Sequence, residues 1–141
     1  MLKTILKASE NFCIHQIRLN YTINSEISKK RTLIAYIDIQ TQASRKYRVY
    51  IAAEENFMQR ISKLFLEEDE SDEETLIDMA LETANLIVGS AKVIAEEENI
   101  NSYMINTPYF IKLDIFDFEY DDLKVIRVEN DAMIVAIKEL S

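Results

Sequence analysis

Residues 72 to 98 read DEETLIDMALETANLIVGSAKVIAEEE. At about 100° per residue, Leu76, Ile77, Ala80, Leu81, Ala84, Ile87, Val88, Ala91, Ile94 and Ala95 share one broad face, which Met79 and Leu86 widen. So wide an apolar face predicts a helix from about Asp72 to Glu98 that is largely buried, and it requires a second layer to bury against. Gly89, the one glycine of the chain, lies inside this run. Glycine in a helix interior costs about 1 kcal/mol relative to alanine. The apolar face keeps its phase across Gly89 into Ala91, Ile94 and Ala95, so one continuous helix is expected, not two helices that meet at a glycine cap.

The second layer is legible on either side. Residues 16 to 24 alternate, with Ile17, Leu19, Tyr21 and Ile23 opposite Gln16, Arg18, Asn20 and Thr22, which predicts a half-buried strand followed by a polar loop to Arg31. Leu33 to Ile39 and Lys46 to Ala53 are rich in β-branched and aromatic residues and are joined by Gln40 to Arg45, the pattern of an antiparallel hairpin. Phe57, Met58, Ile61, Leu64 and Phe65 then recur at helical spacing over about residues 54 to 66. The acidic run Glu67 to Glu74 reads as a connector, with Ser71 and Glu74 in a capping-box pattern at the start of the long helix. Beyond Pro108, strands are expected over Tyr109 to Tyr120, Leu123 to Val128 and Ala132 to Lys138. The first has a bulge where its alternation slips between Ile115 and Phe116, and a tight turn at Glu129 to Asp131 joins the last two. A short helix is expected over residues 2 to 14. The predicted fold is α/β: a mainly antiparallel sheet packed with two main helices, in a single domain over residues 1 to 141.

Composition narrows the function classes. The 141 residues are 48% apolar, enough for one core, and carry 25 acidic against 16 basic side chains for a net charge of −9. That charge repels nucleic acid and anionic lipid, and the basic residues Lys29, Lys30, Arg31, Arg45, Lys46 and Arg48 read as solvated charge at loops and strand edges. One cysteine, Cys13, excludes an internal disulfide. Lys3, Lys7, Ser9 and Glu10 interrupt any leader-like apolar stretch, and no apolar run reaches the roughly 20 residues of a membrane span. A cytoplasmic protein without membrane insertion is the expectation.

Several candidate centres fail on chemistry. Asp114, Asp117, Glu119, Asp121 and Asp122 cluster, but a calcium loop needs regular carboxylate spacing around a glycine that is absent here. His15 has no second ligand at metal spacing and reads as a strand-edge residue; Cys13, among apolar neighbours, reads as a core thiol. With one glycine there is no phosphate loop. No metal site is expected on this chain.

The remaining candidate is the polar line of the long helix. Asp78, Glu82, Asn85 and Gly89 fall within an arc of about 60°. Glu82 and Asn85, at i and i+3, project together as a rigid acid and amide pair. The missing side chain at Gly89 leaves a flat patch where the backbone of another protein can lie close.

This run, Asp78 xxx Glu82 xx Asn85 xxx Gly89, resembles the signature of the CheC, CheX and FliY family of chemotaxis phosphatases. The hairpin, the short helix, the acidic link and the return to strand at Asn106, Thr107 and Pro108 match as well, so the similarity covers about residues 31 to 112. With a single such motif the chain is most similar to CheX. The resemblance implies dephosphorylation of a response regulator such as phosphorylated CheY. Asn85 would orient the attacking water, Glu82 would pair with a lysine of the receiver domain, and Asp78 would be a weaker docking contact. It also implies that no cofactor is bound by this chain, that magnesium sits on the response-regulator partner, and that a homodimer forms through the sheets. The rival expectation is a noncatalytic adaptor of the chemotaxis or flagellar switch apparatus that binds a receiver domain through the same surface. A third is a structural module in which Glu82 and Asn85 only face solvent.

Overall fold

The computed structural model describes residues 2–13, 18–98 and 102–140. The elements are α1 (Leu2–Asn11), β1 (Thr22–Asn24), β2 (Thr32–Thr41), β3 (Lys46–Glu54), α2 (Glu55–Leu66), α3 (Glu73–Glu97), β4 (Tyr103–Ile105), β5 (Tyr109–Asp114), β6 (Asp122–Val128) and β7 (Asp131–Leu140). All pairings among the seven strands are antiparallel, in the order β1-β6-β7-β3-β2-β4, with β5 also on β2. The three helices cover one face: α3 lies over β2 and β3, α2 against α3 and β3, and α1 along α3 above β7. The expected α/β architecture holds, with the N-terminal helix as a third layer member.

Packing explains the order. α3 buries Leu76, Met79, Ala80, Thr83, Ala84, Ile87, Val88, Ala91 and Ala95, and its alanines let the helix axis approach the sheet closely. These meet Leu33, Ala35, Ile37, Val49, Ile51, Met133 and Val135, the inward residues of β2, β3 and β7. α1 adds Leu2, Ile5, Ala8 and then Phe12 and Cys13. Cys13 is fully buried, and loss of hydration, reinforced by Glu10, pushes its thiol up to about 12, the state of a core thiol. The opposite face of the sheet has its own cluster, Ile34, Tyr50, Ala52, Leu123, Val125, Ala132, Ile134 and Ala136, beneath Phe116.

Several expectations need correction. The first strand is confined to Thr22–Asn24; residues 16 and 17 of the expected strand, and His15, lie outside the described residues. Thr22 pairs with Arg127, so one residue further back β6 is already ending at Val128 and residues 18 to 21 have no ladder to join. Leu19 and Tyr21 nevertheless pack on the helix-side core, which is what their alternation reported. The strand after Pro108 stops at Asp114, and its irregularity is at Ile111, skipped between the pairs Ala35–Phe110 and Ile34–Lys112. Residues 115 to 120 leave the ladder and cross the second face as a strap, in which Phe116 and Phe118 pack on Tyr50 with ring centroids 5.4 and 5.3 Å away. β4, over Tyr103–Ile105, has no counterpart among the expected strands. The cap of α3 is Asp72, one residue beyond the Ser71 of the expected capping box. Ser71 is instead buried against α2, where its N–H donates to Gln59 and its carbonyl accepts from it.

Candidate functional site

α3 is the element that carries the polar line, and it is anchored along its length. At its start Asp72 Oδ1 accepts from the Thr75 N–H at 2.8 Å, a bond that holds the Asp72 carboxyl below its usual range. Midway, Thr83 Oγ1 lies 3.9 Å from Met58 Sδ of α2. One residue before Gly89, the Val88 carbonyl accepts from the Tyr103 hydroxyl of β4 at 2.7 Å. Burial, with Glu96 nearby, raises the Tyr103 hydroxyl pKa, so it stays a donor across the physiological range. At its end Glu98 meets Lys7 of α1 at 2.6 Å. The helix is unbroken from Glu73 to Glu97, so the expected continuity across Gly89 is observed.

Asp78, Glu82 and Asn85 are all exposed, and Gly89 is half-exposed, along about 16 Å of the helix. The hydrogen bonds and ion pairs of α3 within the described residues involve Asp72, Thr75, Thr83, Val88, Glu96 and Glu98, and none engages the side chains of Asp78, Glu82 or Asn85. A Cβ built on Gly89 meets nothing within 4 Å, and Gly89 has no positive φ. Its small size therefore serves no packing or backbone need of the chain itself. The stripe continues past Gly89 through half-buried Lys92, Val93 at 52% exposure and exposed Glu96. The periodicity that aligns Asp78, Glu82, Asn85 and Gly89 carries these three residues onto the same line.

The stripe is a convex ridge. One recess of the surface lies away from it, between Arg18–Thr22 and Arg127–Glu129, and another flanks its far end, where Lys92 and Glu96 face Gln40–Gln42 and Ser102–Met104. A ridge with outward acid and amide groups cannot enclose a small molecule, but it can enter the cleft of another protein. Among the described residues no three His, Cys, Asp or Glu side chains converge as a metal site. Three of the five carboxylates of the 114–122 segment are used locally: Asp114 accepts from the Ile115 N–H, Asp121 from the Glu139 N–H and Lys138, and Asp122 from the Leu123 N–H. The three arginines of the basic set are likewise engaged, with Arg45 bidentate on Glu139, Arg48 bidentate on Asp38, and Arg31 donating to the Leu113 carbonyl.

Among solved structures, the chain is similar to the chemotaxis protein CheX from Vibrio vulnificus, with 16% identity, a TM-score of 0.78, and coverage of 99% of this chain and 98% of that one. CheX from Desulfovibrio desulfuricans shows 14% identity and a TM-score of 0.76 over 98% and 97% of the two chains. CheX from Borrelia burgdorferi, solved in complex with CheY, BeF3 and Mg2+, shows 12% identity and a TM-score of 0.68 over 97% of each chain. No curated protein matches the sequence. At these identities the likenesses establish the fold. Among the described residues, no helix is long and apolar enough to cross a membrane. Residues 34–128 match the family described as chemotaxis phosphatase CheX, and the chain therefore belongs to that phosphatase family.

Proposed function

We propose that the phosphoryl group this phosphatase removes is the aspartyl phosphate of a CheY-type response regulator, and that it does so with the ridge of α3. The observation that carries the reading is the pairing of Glu82 and Asn85 on an anchored helix, both exposed and both without a partner among the described residues. An aspartyl phosphate is an acyl phosphate and already labile, so the catalyst has chiefly to place a water in line with phosphorus. The water oxygen bonds to phosphorus, the acyl oxygen leaves as the aspartate carboxylate, and inorganic phosphate is released. The Asn85 carboxamide accepts a hydrogen bond from that water and fixes its approach. Glu82 pairs with a lysine of the receiver and sets the register of docking, and Asp78 adds a weaker contact one turn earlier. Gly89 leaves room for the receiver to come close to the helix. A hundredfold acceleration corresponds to about 2.7 kcal/mol, within reach of one oriented amide and one charge-assisted contact.

The magnesium of this reaction belongs to the receiver, which neutralises its own phosphoryl oxygens. The Borrelia CheX crystallised with CheY, BeF3 and Mg2+ supports the same choice of partner here. We infer a single domain over residues 1 to 141, supported by one helix-side core that draws on residues from Leu2 to Ile137. A cytoplasmic location follows from that partner. A homodimer through the sheet is supported by the open edge at β4 and β5, where Met104 and Tyr109 are exposed.

The test is the lifetime of a phosphorylated CheY-type receiver with magnesium, alone and with the wild-type protein or Asn85→Ala. Wild type is expected to shorten it and Asn85→Ala to bind without shortening it. Binding by wild type with an unchanged lifetime would convert the enzyme into an adaptor. Neither binding nor acceleration with any receiver domain of the source organism would end the reading.

A further inference from the structure

The stripe does not end where the acid and amide pair ends. On a helix surface the residues that surround position i are i−4, i−3, i+3 and i+4, which for Gly89 are Asn85, Leu86, Lys92 and Val93. Since a Cβ at Gly89 would meet nothing within 4 Å, these four side chains stand around an unfilled floor. The socket has two unlike walls. Asn85 and Lys92 lie about 20° apart on one side, and Leu86 and Val93 about 20° apart on the other, so a polar wall faces an apolar one. Leu86 is half-buried, whereas Val93 is the one large apolar residue of α3 left exposed among the described residues, at 52%.

Both residues are poorly chosen for a free helix. Glycine in an exposed helix interior costs about 1 kcal/mol, and a β-branched side chain on an exposed face gives up helix propensity without burial in return. A single exposed valine alone would mean little. Here it stands one turn beyond an internally unneeded glycine, on the ridge that carries Glu82 and Asn85.

We propose that Leu86 and Val93 form the apolar wall of a socket with Gly89 as its floor, and that this socket receives one aliphatic side chain of the receiver domain. It thereby determines which receivers the phosphatase accepts. This rests on the reading of the Asn85 ridge as the docking surface for a receiver. The socket adds a recognition element that performs no chemistry: Asn85 acts on the phosphoryl end, and the apolar wall, one turn along, reads the surface next to it. Val93 is a specificity-determining residue and touches no reacting atom.

The experiment measures kcat and KM on a phosphorylated CheY-type receiver, and Kd for the same receiver loaded with beryllium fluoride and magnesium. The variants are Val93→Asp, Val93→Thr and, as control, Ser90→Asp. Ser90 is exposed on the same helix but lies outside the socket. Val93→Asp is expected to raise KM and Kd roughly tenfold with kcat within about twofold, as a fully covered apolar contact at an interface would. Val93→Thr, which keeps the shape, is expected to give a smaller shift in the same direction, and Ser90→Asp none. Should wild type accelerate decay while both Val93 variants match it, the socket falls and the phosphatase reading stands. Equal shifts from Val93→Asp and Ser90→Asp would mean general charge repulsion and would also overturn the socket. If wild type neither binds nor accelerates, both fall together.

Discussion

Two regions of this molecule treat polar side chains in opposite ways. At the corner where β3 turns into α2, the carboxylate of Glu54 is 4% exposed and accepts from the Ser28 hydroxyl and the Ala132 N–H. Beside it Asp131, 5% exposed, accepts from Arg60 Nε at 2.7 Å, and Arg60 reaches Glu129 at 2.8 Å. Every polar group there is spent on joining β3, α2, the β6–β7 turn and the loop before β2. On the outer ridge of α3, Asp78, Glu82 and Asn85 are exposed and their side chains bind nothing among the described residues. Burial forces polar groups to be satisfied, because an unpaired one costs about 1–3 kcal/mol. Exposure on a rigid element leaves them available to a partner. The comparison separates polarity that makes the fold from polarity that the fold presents.

The largest expected effect tests the corner. Glu54→Ala removes the acceptor of the Ala132 N–H and of Ser28, and should cost about 2–4 kcal/mol in urea unfolding. Turnover per folded molecule should stay unchanged. A loss below about 0.5 kcal/mol would break the distinction at its firm end. The reverse pattern is expected of Glu82→Ala: a melting temperature within about a degree of wild type, as for exposed unpaired charge, and a KM on the phosphorylated receiver raised roughly tenfold. A matching loss of stability would return Glu82 to the fold and remove it from docking.

A third variant sharpens the contrast within α3 itself. Asp72, the cap, is exposed like Asp78 but is used by the fold, because the Thr75 N–H holds its pKa below the usual value near 3.8. A carboxyl whose folded pKa is depressed stabilises the protein fully above its unfolded pKa, and that stability is lost as pH falls through the folded value. The difference in stability between wild type and Asp72→Asn is therefore expected to be constant from neutral pH down to about 4 and to shrink below it. Stability against pH for the two proteins would show this directly, and parallel curves down to pH 2 would refute it.

The same distinction accounts for what was legible in the sequence. α3 was plain because its ten apolar positions keep phase for about five turns, and the β2–β3 hairpin because two β-rich runs flank one polar turn. The stripe was legible because exposure on a helix follows from the phase of its buried face. Features that depend on a distant partner were not. Leu19 and Tyr21 alternate because one side is packed, yet whether a ladder reaches them depends on where β6 ends, about 100 residues later in the chain. Phe116 and Phe118 look like strand residues; that they cross the second sheet face as a strap depends on Tyr50 needing a cover. Ser71 has the residue type of a cap, but Gln59 and Ser62 of α2 claim it first and leave the cap to Asp72. Local chemistry sets which groups can serve, and tertiary competition decides which do.

Gly89→Ala carries the smallest expected effect and discriminates most finely, since the two uses of a residue predict opposite signs. If Gly89 served the fold, through a close approach or a left-handed backbone, alanine would destabilise. A Cβ there meets nothing within 4 Å and the helix is regular, so alanine should stabilise the free protein by roughly 0.5–1 kcal/mol, mostly through the unfolded chain. The same methyl group would stand on the floor where the receiver is to lie, and KM should rise by a few fold, with kcat nearly unchanged. A more stable and weaker-binding variant is the outcome that only an intermolecular role produces. A more stable variant with unaltered KM would mean that nothing approaches Gly89, and the ridge would then end at Asn85.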